Sequence, residues 1–215
     1  MHRAKLPRLF QPFRCNDLVR LGKNHDGGYL INRQDIAKTQ HLLSFGIGTD
    51  TSFEQDFVDV NPCAVDAWDA SVDATDFFQG NRTHHKQNVS SKNLPVQGSN
   101  IFLKCDIEGG EYSILDQLII RCKDFVGMAF EFHDINKPGN FDAVVNFVSK
   151  VDQKLVHLHV NNYFYYKDGS QAIPDILELT FSSGSNIIYD PKLTLPHALD
   201  MPNNPQDQEF HIVFE

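Results

Sequence analysis

The 215-residue chain is poor in the residues that staple or anchor a protein. Its four cysteines (Cys15, Cys63, Cys105 and Cys122) stand far apart with no CxxC spacing. That argues against a disulfide framework and against a zinc knuckle. Cys63 and Cys105 fall in apolar strand-like runs, where cysteine behaves as a small buried hydrophobe. No apolar run approaches the roughly 20 residues needed to span a bilayer. The opening MHRAKLPRLFQPFRC has no apolar stretch of the signal-peptide kind. The expectation is a cytoplasmic protein without membrane insertion, whose basic, proline-interrupted start forms a surface arm. Positive charge is also short: 19 Lys and Arg face 28 Asp and Glu, a net −9. A protein that tracks phosphates needs the opposite balance, so no nucleic-acid partner is expected. Neutral or zwitterionic small molecules and glycans remain compatible.

What is present suits one globular domain over 1–215, with a sizeable core. Residues 1–40 read as the arm and a hairpin, 41–183 as the core, and 184–215 as an irregular proline-rich segment with a last strand. Strand-like runs at 41–48, 63–69, 101–107, 126–133, 155–162 and 175–183 alternate with helical patterns at 49–60, 110–122 and 141–151. Such alternation predicts an α/β fold: a mostly parallel sheet with helices on both faces and an antiparallel hairpin at one edge. The front stretch LVRLGKNHDGGYLI (18–31) reads as two short strands turning at Asp26-Gly27-Gly28, either a plain hairpin or a wall beside a ligand. His84-His85 reads as part of a solvated loop.

In open parallel sheets, ligands bind beyond the carboxyl ends of the strands. SFGIGTD puts Gly46 and Gly48 directly after the first core strand, where glycine lets backbone N–H groups face a ligand. Asp69 ends the next strand at the spacing expected of an acid that holds ribose hydroxyls, with Asp66 a mid-strand competitor. The third glycine of the dinucleotide fingerprint is absent, and Asp50 would repel a pyrophosphate. An acid there suits a ligand with an ammonium or sulfonium group, which favours S-adenosylmethionine over NAD.

With SFGIGTDTSFE, WDAS, LKCDIEGGEYSIL and FEFH, the chain resembles the FkbM-type branch of S-adenosylmethionine-dependent class I methyltransferases over roughly 18–182. DIEGxE is the most specific of these motifs. The resemblance implies a Rossmann-like seven-stranded sheet and methyl transfer to an oxygen, often a sugar hydroxyl. By motif position it implies a cofactor site of Ser44, Gly46, Gly48, Asp50, Ser52, Asp69, Ala70, Ile107 and Glu108. Ser44 stands where an acid is common in this class, and Asp50 is the substitute for the contact to the methionine end.

An alcohol is a poor nucleophile, so the acceptor needs a general base or a metal. Asp106, Glu131 and His133 gather at strand ends. Either His133 acts as the base, oriented by Asp106 or Glu131, or Asp106, Glu131 and His133 hold a divalent cation such as Mg or Mn. Tyr29, His157, His159, Asn161 and Asn162 are the candidates for binding a sugar or glycan. His157 and His159 share one strand face, and NNYFYY (161–166) supplies amides and aromatic rings. The bland alternatives are an edge-strand role for the histidines and helix capping for Glu111. Two rival functions stand beside the O-methyltransferase: a nucleotide-binding interaction module without catalysis, and an NAD-dependent oxidoreductase.

Overall fold

The computed structural model describes residues 1–169 and 171–215. Its central sheet has seven strands: β1 (His41–Phe45), β2 (Ala64–Trp68), β3 (Arg82–His85), β4 (Ile101–Cys105), β5 (Phe125–Phe132), β6 (Lys154–Val160) and β7 (Leu177–Ser182). They lie in the order β6-β7-β5-β4-β1-β2-β3. Strands β1 to β5 pair in parallel, whereas β7 runs antiparallel between β5 and β6. This is the Rossmann-like class I methyltransferase sheet. The β6–β7 hairpin is the expected antiparallel edge. The chain order reverses at β1, whose neighbours are β2 and β4, so the crevice for a ligand opens beside Gly46.

Period-two alternation divides the core between the two faces. Leu42, Val65, Phe102 and Ala129 pack with Phe53 and Phe57 on one side. Helix α1 (Arg33–Lys38) and helix α2 (Ser52–Val60) belong to that side. Leu43, Phe45, Leu103, Cys105, Met128 and Phe130 pack on the other side with Leu115, Leu118, Val144 and Phe147. Those four come from helices α3 (Leu115–Ile120) and α4 (Asn140–Lys150). Phe130, Phe147 and Phe181 meet edge-on at 5.1–6.3 Å. Each fully buried ring contributes about 2–3 kcal/mol. All four cysteines are buried free thiols. Among the described residues, no helix is long and apolar enough to cross a membrane.

Three local expectations change and a fourth holds. The N-terminal stretch is a strand, His2–Leu6, paired in parallel with Phe210–Phe214, and its alternate residues Ala4 and Leu6 are buried. It is therefore part of the core and not a surface arm. The helix expected over 110–122 is a 3₁₀ turn at Glu111–Ser113 followed by the short α3. His84 and His85 end β3, where His85 stacks on Trp68 at 4.1 Å and bonds Asp66 at 2.6 Å. The front hairpin does form, Leu18–Leu21 against Tyr29–Asn32.

Candidate active site

The same alternation that builds the core delivers polar groups to one place. Phe102, Lys104 and Asp106 share a face parity along β4 and its continuation; Ala129, Glu131 and His133 share it along β5. The polar members come last, at the carboxyl ends. There the chain turns through two non-glycine residues with positive φ, Glu108 at 54° and Asp134 at 54°. Left-handed backbone costs an L-residue about 1–2 kcal/mol, and such strain concentrates at functional sites.

His133 is the hub. Its Nδ1 lies 3.0 Å from Glu111 Oε1, which also accepts the Ile107 N–H at 3.1 Å. Glu111 is thus a buried orienter of the imidazole and not a helix cap. Its Nε2 looks into a ring of carboxylates: Glu108 at 3.5 Å, Glu131 at 3.7 Å and Asp106 at 3.9 Å. Burial opposes a charge on this ring, but the Glu111 hydrogen bond and the carboxylates outweigh it and raise the pKa to about 9. His133 is therefore an imidazolium at neutral pH and has no free lone pair for a proton.

The Tyr29 hydroxyl reaches Asp106 Oδ2 at 3.1 Å and Glu131 Oε2 at 3.0 Å. One phenol proton serves one carboxylate. Burial, with Asp106 and Glu178 nearby, raises the Glu131 pKa well above the usual carboxylate range. The Asn161 amide donates to Glu131 Oε1 at 2.9 Å. Tyr29 and Asn161 thus position carboxyls; both are buried.

Lys104 is the central residue that sequence reasoning missed. Its ammonium is buried, 3.3 Å from Asp106 Oδ2 and bonded to the Gly46 carbonyl. Burial works against its charge, yet Asp106, Glu54 and Glu131 hold it protonated. The available signal was a lysine inside an apolar strand, two residues before the key acid. A buried charge needs a partner, and Asp106 is one.

Beside this cluster the glycine turn forms a cradle. A Cβ on Gly46 would lie 1.6 Å from the Asp106 carbonyl oxygen, so only glycine fits; Gly48, with φ 51°, has open space beside it. Two adjoining cavities follow, of about 430 and 270 Å³, sharing Gly46, Asp69, Ser71, Asp106 and Glu108. The larger is lined by Trp68, Ala70, Ile107 and the loop residues Gln87, Asn88 and Val89; the smaller adds Lys23, Gly48 and Asp50. Asp69 accepts from the Ile47 and Gly48 N–H groups at 3.0 and 2.9 Å and from the Ser71 N–H at 2.7 Å. These bonds overcome burial and keep its pKa low. Asp50 pairs with Lys23 at 3.2 Å and caps α2 by accepting the Ser52 N–H at 3.1 Å. The front hairpin therefore walls the smaller cavity.

A third cavity, about 310 Å³, opens over Glu131 and His133 and is walled by Asp26, Asp134, Asn161, Tyr163, Phe164 and Asp175. Glu108 borders all three.

Several sequence candidates sit elsewhere. Ser44 faces α2 and donates to Glu54. Ser52 belongs to the α2 cap and accepts the Lys23 N–H at 3.0 Å. His157 Nε2 pairs with Asp200 at 2.8 Å; His159 lies between Glu178 at 3.2 Å and Glu209 at 3.1 Å. Asn162 accepts the Asn204 N–H at 2.7 Å and donates to the Asn204 carbonyl at 2.9 Å. These residues bind the C-terminal segment to β6, a covering that the local sequence around 157–162 does not reveal.

No family model matches the chain, and no curated protein matches it. Solved structures do. An rRNA methylase from Streptococcus thermophilus is 13% identical, with 70% of this chain aligned to 92% of that one at a TM-score of 0.41. A fibrillarin/Nop5p complex gives 16%, 67%, 73% and 0.43 for the same measures. The precorrin-6y C5,15-methyltransferase from Geobacter metallireducens gives 12%, 70%, 87% and 0.39. The fold assignment rests on the strand order given above.

Proposed function

We propose that this chain is an S-adenosylmethionine-dependent O-methyltransferase acting on a hydroxyl of a neutral sugar or glycan, as its FkbM-like motifs also imply. The observation that carries the reading is the meeting, at Glu108, of a pair of cavities that share Asp106 with a third that opens over Glu131 and His133.

The cradle fits the cofactor. Trp68, Val89 and Ile107 supply apolar surface for a purine, with the Gln87 and Asn88 amides at its rim. Asp69 is the ribose acid, its lone pairs shared with the loop N–H groups. Lys23 and Asp50 form a plus–minus pair matched to the carboxylate and ammonium of an amino acid. When bound, S-adenosylmethionine supplies an electrophilic methyl group on a sulfonium. The chain's own task is to position the acceptor oxygen and to remove its proton. Because His133 is already charged, Asp106 takes the proton. The imidazolium faces the oxygen as negative charge develops there, and Lys104 and Tyr29 hold Asp106 in place. General-base catalysis of this kind is worth about 10²–10⁴-fold.

A divalent cation is the second reading, favoured by one specific feature. Asp106, Glu108 and His133 each bring a ligand atom to within 4.8 Å of the others, and Glu111 orients the imidazole from behind. Glu108 takes the place in this set that sequence reasoning gave to Glu131. Such an ion would acidify the hydroxyl in place of the His133 proton.

Carboxylates around the acceptor cavity and the net charge of −9 disfavour a phosphodiester acceptor. Calorimetry with S-adenosylmethionine, S-adenosylhomocysteine and NAD tests the cofactor. Binding of the sulfur nucleosides alone is expected; NAD binding in their place overturns the proposal. Binding without methylation of any sugar returns the chain to the interaction-module reading. Activity lost to EDTA and restored by Mg or Mn selects the metal version.

A further inference from the structure

The acceptor cavity does not end at the reacting groups. Asp134 and Asp175 also line a second, outer cavity of about 440 Å³, so the two spaces adjoin at these residues. The outer space is completed by Asn136, Lys137, Pro138, Tyr166 and Ile173. The partition between them is well fixed. Asn136 Nδ2 donates to Asp175 Oδ1 at 3.1 Å, the Ile135 N–H to the Asp175 carbonyl at 3.0 Å, and Lys137 pairs with Asp134 at 2.7 Å.

The short segment between β6 and β7 exposes an unusual amount of apolar surface. Tyr163 is 47% exposed, Phe164 62%, Tyr166 58% and Ile173 38%. Tyr163 and Phe164 belong to the inner cavity, Tyr166 and Ile173 to the outer one. Tyr166 and Ile173 face each other across the hairpin Tyr165–Asp168/Gln171–Pro174. Each cavity thus pairs aromatic surface with carboxylate and amide groups. Aromatic rings receive the C–H face of a sugar, and Asp and Asn receive its hydroxyls.

We propose that the outer cavity is a second acceptor subsite, so that the glycan is a chain of at least two neutral units. The inner cavity takes the unit to be methylated, and Tyr166 with Ile173 takes its neighbour. This inference rests on the glycan reading above. The shared Asp134 and Asp175 sit where the glycosidic linkage crosses. With carboxylates on both sides of the crossing, uronate-containing chains bind more weakly than neutral ones.

Calorimetry on the full chain saturated with S-adenosylhomocysteine provides the test. The probes are the mono-, di- and trisaccharides of glucose, mannose, xylose and N-acetylglucosamine. At least one series is expected to bind about tenfold tighter as a disaccharide than as its monosaccharide. Tyr166→Ala removes that gain and leaves monosaccharide affinity unchanged; Ile173→Ala, also on the surface, reduces it in part. Equal affinity for mono- and disaccharides overturns the subsite while leaving the glycan reading intact. So does an equal loss for both in Tyr166→Ala. If S-adenosylhomocysteine binds but no sugar of any length does, the glycan reading falls and takes the subsite with it.

Discussion

Two clusters of histidine and carboxylate lie on the antiparallel half of the sheet, and they do different things. Around His133, Nδ1 is held by Glu111, but Nε2 has only loose neighbours at 3.5–3.9 Å, and Glu108 is 86% exposed. Around His159 both ring nitrogens are paired, with Glu178 and Glu209, and the imidazole is 4% exposed. In both, the surrounding carboxylates raise the imidazole pKa against the opposing cost of burial. The distinction is coverage. Glu209 and Asp200 come from the C-terminal segment, which closes over β6. The ends of β4 and β5 open into cavities instead. Identical residue types therefore give a clasp in one place and a candidate reaction centre in the other.

The sharpest way to break the comparison is to remove one carboxyl function. Asp106→Asn is expected to lower methyl transfer by about 10²–10⁴-fold. Its S-adenosylhomocysteine affinity, read by calorimetry, stays within a few-fold, and its thermal midpoint barely moves. If Asp106→Asn instead unfolds the protein while activity per folded molecule persists, the two clusters have been assigned the wrong way round. His159→Ala removes the only ion-pair partner that buried Glu178 and half-buried Glu209 have among the described residues, and is expected to lose about 3–5 kcal/mol in urea unfolding. Activity per folded molecule should be retained.

A pH series sharpens the contrast further. The folded-state pKa of His133, about 9, lies above the ordinary value of 6.5. Protonated His133 therefore stabilises the fold fully below about pH 6.5, and that contribution fades as pH rises toward 9. Its size is on the order of 3 kcal/mol. Stability curves for wild type and His133→Gln should converge across that window, with the wild type losing its advantage; parallel curves would refute a charged His133. The smallest effect belongs to the turn. Glu108→Gly relieves a positive φ and is expected to leave stability unchanged or raise it by up to about 1 kcal/mol, while methyl transfer falls.

Much of this was readable before folding was considered. Gly46, Gly48 and Asp69 marked the crevice because glycine turns and a strand-end acid fall together at the ends of the first two sheet strands. Asp106, Glu131 and His133 were readable because strand parity puts residues two apart on one face. The antiparallel hairpin was visible in consecutive strands without a helix between them. The roles were less legible. Lys104 looked like an odd residue in a strand until Asp106 and Glu54 were seen around it. Glu111 looked like a helix cap because its partner, His133, is 22 residues away. β3 was hidden because RTHH has no apolar face, and its edge position does not require one.

The sequence by itself determined the sheet, the position of its crevice and the chemistry gathered at the ends of β4 and β5. Local periodicity and turn residues carry that information within a few positions of each other. Only the tertiary structure decided which histidines are open and which are locked, and that Asp106 stands beside both His133 and Lys104. Those outcomes depend on which distant segment covers a strand. Strand parity says which face a side chain takes, but not what will be buried against it.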